Sequence, residues 1–284
     1  MIARDFIYCK AETLPEAVEA FSAYTARGKR AFYYGGGSEL ITMSRANSIR
    51  PDVVIDYKAV PECRVLEESS EYLSIGAGLT LNEIKESKRF PLLGTAGGRV
   101  ADHTNQCRIT LGGNLCGTIR YREACLPLLL ADAKVHIASQ AGARTVPLHD
   151  VFHERMRLQP GELAAAFLVP KRALHAPYAH IKKTSGEKID YPLINVTALI
   201  DSERLLTAFS GICAFPFRDK GIEDVLNDTS LPPQRRIAEA LKLLPGQPVT
   251  NAEGSGAYRL FLLEQTLENL LHEWERGALK GADT

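Results

Sequence analysis

Two glycine-rich segments are the parts of this sequence whose composition could do chemistry. The first, YYGGGSEL, covers residues 33–40 and places three consecutive glycines before Ser38. The second, TLGGN, covers residues 110–114, about 70 residues further along the chain. Glycine has no Cβ, so a ligand oxygen can approach its backbone N–H group closely. The free N–H groups and the positive dipole end at a helix start favour an anion such as a phosphate.

Each segment alone also has a plain structural explanation, a tight turn between two elements. The first segment does not complete a G-x-G-x-x-G motif, because Leu40 stands at the last glycine position, and no G-K-[ST] of a P-loop follows it. Together, however, the two segments could bind one extended ligand from two sides, and a dinucleotide-sized cofactor has the length for that. We therefore predict that backbone N–H groups from both segments converge on one diphosphate.

The elements that must position these segments can be read from the hydrophobic pattern. Strands over 4–9, 31–34 and 51–57 alternate with a helix capped by Thr13 and a helix over 38–46, which predicts a small α/β layer at the N-terminus. A hairpin over 65–69 and 72–78 follows, and Thr80 and Glu83 form a capping box for a helix over 80–87. The other predicted elements are helices over 90–102, 123–132, 219–227, 233–243 and 256–274, and strands over 133–139, 143–147, 162–170, 178–183, 193–201 and 204–213.

The composition is that of an ordinary globular protein of 284 residues, a length that predicts two or three structural units. The 34 basic residues balance the 34 acidic ones, so nothing favours a nucleic-acid partner. No apolar run is long enough for a membrane span, and the N-terminal residues lack the apolar core of a secretory signal. Six dispersed cysteines without a C-x-x-C pair indicate reduced thiols, so we expect a cytoplasmic protein.

Several further stretches give the chain a family resemblance. The two glycine segments, together with IRPDVVIDY (49–57), YLSIGAGLTLNEI (72–84) and CRITLGGNLCG (107–117), resemble the FAD-binding medium subunits of molybdenum hydroxylases. This family includes the flavoprotein subunits of xanthine dehydrogenases and carbon monoxide dehydrogenase. The stretches HIKKTSGEKIDYPLINVTALI (180–200) and GSGAYRLFLLEQTLENLL (254–271) extend the resemblance over nearly the whole chain.

The resemblance implies an α+β fold in two parts. The first is a vanillyl-alcohol-oxidase-type FAD-binding domain over residues 1–175, with subdomains of about 1–57 and 58–175. The second is a small C-terminal α+β domain over 176–284, with a three-stranded antiparallel sheet and helices. The cofactor implied is FAD, and no residue of this chain is expected to be catalytic or to bind a metal. The cofactor-binding residues implied are Tyr34, Gly35, Gly36, Gly37, Ser38, Glu39, Leu40, Thr110, Leu111, Gly112, Gly113, Asn114, Glu123 and Lys182.

The same resemblance implies an oxidoreductase subunit that transfers electrons within a complex. A molybdopterin-binding large subunit would oxidise the substrate, and a small subunit with 2Fe–2S clusters would carry the electrons to FAD. NAD or another acceptor would then receive them. Two alternatives stay open at this point. One is a stand-alone FAD oxidoreductase, and the other is a degenerate scaffold subunit that has lost FAD.

The chain departs from the family pattern after the second glycine segment, where it reads CGTIRYREACLP (116–127). Counted from Asn114, the aspartate of the family falls on Glu123 and its serine falls on Ile119, which cannot form a side-chain hydrogen bond. Arg120 and Arg122 are additional charges. They either contact a phosphate or a nicotinamide nucleotide, or form a turn with solvated or paired charges.

Three cysteines near this stretch raise a further alternative. Cys107, Cys116 and Cys125 repeat at a spacing of nine residues, and some members of the family hold an extra iron–sulfur cluster. Such a cluster normally requires four thiolates, and Cys63 would be the fourth. The other interpretation is that these thiols are buried and pack as small apolar groups.

Overall fold

The computed structural model describes residues 2, 4–187 and 189–279 of the chain. The chain divides into two compact units, each assembled from several stretches of sequence. The first unit comprises Met1–Ile84, His103–Gly117 and Asp132–Pro170, and the second comprises Lys85–Asp102, Thr118–Ala131 and Lys171–Thr284. Among the described residues, no helix is both long and apolar enough to cross a lipid bilayer.

A three-stranded parallel sheet forms the N-terminal part of the first unit, which confirms the predicted α/β layer. Its strands β1 (Ile7–Lys10), β2 (Ala31–Tyr34) and β3 (Val53–Asp56) lie in the order β1-β3-β2. Helices α1 (Leu14–Ala26) and α2 (Ser38–Arg45) connect them. Tyr34 of β2 pairs with Asp56 of β3, so the residues that follow the two strands leave the sheet at the same edge.

The rest of the first unit contains a five-stranded antiparallel sheet. Its strands, in spatial order, are β4 (Leu66–Glu68), β5 (Tyr72–Gly76), β10 (Leu163–Pro170), β6 (Lys134–Ser139) and β7 (Gly142–Pro147). The hairpin of β4 and β5 is confirmed, and so is the capping box, in which the Thr80 N–H donates to Glu83 Oε2 at 2.7 Å. The other elements in this part of the chain are α3 (Leu81–Ser87), α5 (His103–Gln106), α6 (Leu111–Cys116), α8 (Leu148–Val151), β8 (Phe152–His153) and β9 (Arg155–Met156), with a 3₁₀ turn at Pro61–Cys63.

The second unit contains a four-stranded antiparallel sheet. Its strands, in spatial order, are β11 (Tyr178–Thr184), β12 (Pro192–Asp201), β13 (Arg204–Ser210) and β14 (Phe217–Arg218). One face of this sheet is apolar and packs against the C-terminal helices, with Ile194, Val196 and Phe209 in the core. Side chains alternate between faces along a strand, so Asn195 and Thr197 lie on the opposite face. The other elements are α4 (Pro91–Gly97), α7 (Cys125–Leu130), α9 (Lys220–Leu226), α10 (Pro233–Lys242) and α11 (Gly256–Glu275), with a 3₁₀ turn at Lys171–Ala173.

Two sequence predictions about local structure are wrong. The C-terminal sheet has a fourth strand, because Phe217 and Arg218 pair with β13; two residues are too few for alternation to reveal a strand. The helix predicted over 90–102 ends at Gly97, and Ala101 has a φ of 50°, which a helix cannot accommodate.

Candidate functional site

The two glycine segments meet in the first unit, although about 70 residues separate them in sequence. A Cβ added to Gly36 would lie 1.7 Å from the Arg108 carbonyl oxygen, and one added to Gly35 would lie 2.5 Å from Thr110 Oγ1. Only the absence of side chains at these positions therefore lets the two backbones approach so closely. The glycines of the first segment serve contact with the second segment, in addition to any contact with a ligand.

The first segment carries the N–H groups that remain available. Across the described ranges 4–187 and 189–279, the N–H groups of Gly36, Gly37 and Ser38 have no hydrogen-bond acceptor. Gly37 is the N-cap of the eight-residue helix α2 and has a φ of 72°, which glycine adopts without strain. The hydroxyl of Ser38 is buried and unpaired among the described residues. Three N–H donors and one hydroxyl thus lie at the positive end of a helix dipole.

In the second segment, the backbone N–H groups have partners within the protein. Thr110 is the N-cap of α6, and its hydroxyl accepts from the Gly113 N–H at 3.1 Å. The N–H groups of Leu111 and Gly112 donate to the carbonyl oxygens of Leu79 and Ala77, at 2.9 and 2.8 Å. These two N–H groups are therefore already paired within the protein and are not available to a ligand. Gly112 instead permits close packing, since an added Cβ would lie 2.8 Å from the Ala77 methyl carbon.

Asn114 is the residue of the second segment with unused binding capacity. Its side chain is buried, and its Oδ1 has no hydrogen-bond donor within the described ranges. A buried amide oxygen without a donor is costly, so a partner is expected there. Because Oδ1 only accepts hydrogen bonds, the partner must be a donor such as a ligand hydroxyl or a water molecule, and cannot be a phosphate oxygen.

The other residues of the first segment that were predicted to bind the cofactor, Tyr34, Glu39 and Leu40, contact neighbouring residues of the first unit. The Tyr34 ring lies against Gly37, where an added Cβ would come within 2.4 Å of the Tyr34 hydroxyl. The carboxylate of Glu39 lies beside Gly117, whose added Cβ would be 2.5 Å from Glu39 Oε2. The Leu40 carbonyl accepts a hydrogen bond from the Ser44 hydroxyl at 2.7 Å. Glu39 therefore reaches the C-terminal end of α6.

Three residues that the sequence analysis missed form a polar cluster at this edge of the parallel sheet. Lys58 Nζ donates to the Gly35 carbonyl oxygen at 3.0 Å and to Asp56 Oδ2 at 2.7 Å. The Tyr8 hydroxyl donates to the same Asp56 oxygen at 2.7 Å. Burial alone would raise the pKa of Asp56, but the hydrogen bonds from Lys58 and Tyr8 lower it. The hydrogen bond to Asp56 raises the pKa of Tyr8 to about 12.

Lys182 and Glu123 lie in the second unit and pair with each other. Lys182 Nζ donates to Glu123 Oε1 at 3.4 Å and to the Arg99 carbonyl oxygen at 2.7 Å. Their side chains are only 2% and 7% exposed, so solvent screens neither charge effectively. On the same strand, burial lowers the pKa of His180 to about 3, and the nearby charges of Arg99 and Lys182 act in the same direction.

The two additional arginines differ from each other. Arg122 is buried, with a φ of 33°, and does not belong to a solvated turn. Arg120 is exposed and lines an open cleft of about 540 Å³. Tyr121 and Tyr191 line the same cleft and stack with their ring centroids 4.9 Å apart.

The cysteines do not share one environment. Cys107 and Cys116 are exposed, which contradicts the expectation that they pack as buried apolar groups, whereas Cys63 and Cys125 are buried. Burial raises the pKa of Cys63 to about 12 and also raises that of Cys125. In the part of the chain that the structure describes, no group of three or more His, Cys, Asp or Glu side chains could hold a metal ion.

The sequence pattern of a known family covers the larger part of the chain. Residues 4–172 match the family described as the FAD binding domain in molybdopterin dehydrogenase. The chain belongs to this family. Members of this FAD-binding family are oxidoreductase subunits, and both glycine segments lie within the matched range.

Individual members of the FAD-binding family resemble the chain along most of its length. The chain is 27% identical to the 6-hydroxypseudooxynicotine dehydrogenase complex subunit alpha of Paenarthrobacter nicotinovorans, covering 86% of this chain and 88% of that one. It is 25% identical to the putative xanthine dehydrogenase FAD-binding subunit of Escherichia coli, covering 94% of each. The fold matches a chain of quinoline 2-oxidoreductase from Pseudomonas putida 86 with a TM-score of 0.83 and 24% identity, over 98% of this chain and 100% of that one.

Proposed function

We propose that the chain is the FAD-binding, electron-transferring subunit of a multi-subunit molybdenum hydroxylase. In this complex, electrons from substrate oxidation on a molybdopterin-bearing large subunit reach 2Fe–2S clusters on a small subunit and pass through FAD to NAD or another acceptor. The six free cysteines are consistent with a cytoplasmic complex. The proposal includes the vanillyl-alcohol-oxidase-type domain over residues 1–175, with its two subdomains, and the C-terminal domain over 176–284.

The observation that carries the proposal is the set of unpaired polar groups where the two glycine segments meet. The N–H groups of Gly36, Gly37 and Ser38 would donate to the diphosphate oxygens of FAD, and the dipole of α2 would favour their charge. The Asn114 Oδ1 would accept a hydrogen bond from a hydroxyl of the ribityl or ribose group. Bound FAD supplies the redox chemistry, while the chain binds and orients it.

The assignment of Glu123 and Lys182 to the cofactor remains part of the proposal. Within the second unit, Lys182 and Glu123 pair with each other, and Lys182 Nζ donates to Glu123 Oε1 and to the Arg99 carbonyl oxygen. A paired lysine and glutamate carry little net charge. We therefore expect Lys182 to affect the flavin potential less than an isolated cation would.

The test is the cofactor content of the full chain, expressed with and without its neighbouring subunits. We expect visible flavin absorbance, FAD on acid extraction, and co-purification with subunits that contain molybdopterin and 2Fe–2S clusters. A colourless chain that does not take up added FAD would instead support the degenerate scaffold. Substrate oxidation by the flavin-containing chain alone would support the stand-alone oxidoreductase.

A further inference from the structure

The peptide bond between Gly35 and Gly36 is held from one side by a lysine. Its carbonyl oxygen accepts from Lys58 Nζ at 3.0 Å, and its N–H group, that of Gly36, has no acceptor in the described ranges. The described peptide bonds are all trans, so the carbonyl and the N–H of this unit point in opposite directions. Whatever fixes the direction of the carbonyl therefore also fixes the direction of the N–H.

We propose that Lys58 is a positioning residue that directs the Gly36 N–H towards the diphosphate of FAD, an inference that rests on the proposed function. A peptide between two glycines has little intrinsic torsional restriction, because neither residue has a Cβ. The ammonium group limits rotation of this peptide by binding the carbonyl. It also polarises the peptide, which makes its N–H a stronger donor.

Lys58 is itself held in place by three contacts besides the glycine carbonyl. Asp56 Oδ2 accepts from Lys58 Nζ at 2.7 Å, and Asp56 Oδ1 accepts from the Lys58 backbone N–H at 3.0 Å. The ammonium also lies 4.5 Å from the centre of the Tyr34 ring. The Tyr8 hydroxyl donates to the Asp56 oxygen that binds the ammonium. The lysine is therefore oriented before any ligand arrives.

The geometry separates this role from direct ligand binding. Lys58 Nζ contacts the carbonyl side of the peptide, opposite to the N–H that would meet the phosphate. Replacing Lys58 should therefore weaken the binding of ligands that carry a diphosphate and leave the binding of a ligand without phosphate almost unchanged. A hydrogen bond from a charged donor contributes more binding free energy than one between neutral groups. We therefore expect the FAD dissociation constant of Lys58→Met to rise by about tenfold to a hundredfold.

The experiment measures flavin binding to the full chain after FAD removal, by quenching of flavin fluorescence. We compare FAD with riboflavin, for the unsubstituted chain, Lys58→Met, Lys58→Arg and the control Lys29→Met, an exposed lysine of the same unit. The expected result is weaker FAD binding by Lys58→Met, unchanged riboflavin binding, partial recovery in Lys58→Arg and no change in Lys29→Met. Glycine-selective nitrogen labelling should show a shifted Gly36 amide signal in Lys58→Met before any ligand is added.

Each other outcome has a defined meaning. Unchanged FAD binding by Lys58→Met, or an equal loss for FAD and riboflavin, would overturn the positioning role while the proposed function stands. If Lys58→Met does not fold, Lys58→Arg tests the positioning role through its Gly36 amide signal and its FAD affinity. Values identical to those of the unsubstituted chain would overturn a positioning role that depends on the geometry of the lysine donor. Absence of FAD binding by the unsubstituted chain would overturn the proposed function and, with it, the inference.

Discussion

Gly36→Ala is the substitution for which the structure gives the clearest expectation. The added Cβ would lie 1.7 Å from the Arg108 carbonyl oxygen and 2.6 Å from its carbonyl carbon. Real Cβ atoms essentially never approach other heavy atoms within 3.0 Å, so the two backbones must separate by at least about 1.3 Å, the difference between 3.0 and 1.7. Both neighbours are backbone atoms, so no side-chain rotation can relieve the contact.

The expected loss of stability is that of an overpacked core site, about 1–3 kcal/mol. For a protein of this size, this corresponds to a fall of roughly 2–12 °C in the midpoint of thermal unfolding. FAD affinity should fall as well, because the N–H groups of residues 36–38 would move away from Asn114. Calorimetry of the FAD-free chain measures the first effect, and titration with FAD measures the second.

Gly246→Ala is the matched control. Its added Cβ would have its nearest neighbours at 3.9 Å, an ordinary contact, so we expect a change of less than about 0.5 kcal/mol. The close approach of the two glycine segments would be refuted if Gly36→Ala unfolded at the same temperature as Gly246→Ala and bound FAD equally well.

Three further predictions concern buried and exposed ionisable groups. Lys182→Met should destabilise the chain by about 3–5 kcal/mol, because it leaves the Glu123 carboxylate buried without its cation, and the added change Glu123→Gln should recover part of that loss in thermal unfolding. Because His180 is protonated near pH 3 in the folded chain and near pH 6.5 when unfolded, stability should decrease as the pH falls through this interval, and less steeply in His180→Asn. A disulfide reagent added to the folded chain should react rapidly with the exposed thiols and slowly with the buried ones, namely Cys107 and Cys116 against Cys63, Cys125 and Cys213.

Each of these predictions has a contrary outcome that the same measurement detects. A double variant of Lys182 and Glu123 no more stable than Lys182→Met alone would show that the two charges do not interact in the fold. Parallel pH curves for the chain and His180→Asn would show that this imidazole is hydrated. Equal reaction rates for the exposed and buried thiols, measured by mass spectrometry of digested samples, would contradict the described burial.

Local sequence signals predicted the elements that short-range physics determines. The Thr13 cap, the capping box of Thr80 and Glu83 and the succession of short strands and helices in the N-terminal layer all depend on residues within a few positions of each other. The glycines of the first segment likewise indicated a turn or a ligand contact at the start of a helix, but not the approach of the Arg108 backbone. The family resemblance added FAD, because the order of several weak motifs along one chain is far more specific than any one of them.

Only the tertiary structure decided which groups in these segments are free. In TLGGN, the Gly112 N–H donates to the Ala77 carbonyl oxygen and the Gly113 N–H donates to the Thr110 hydroxyl. Ala77 lies 35 positions before Gly112 in the sequence. Lys58 likewise meets Gly35 because strands β2 and β3 are parallel neighbours and end at the same edge, although 23 positions separate the two residues. Hydrogen-bond partners at such separations depend on how distant parts of the chain pack together, which the composition of a short segment does not encode.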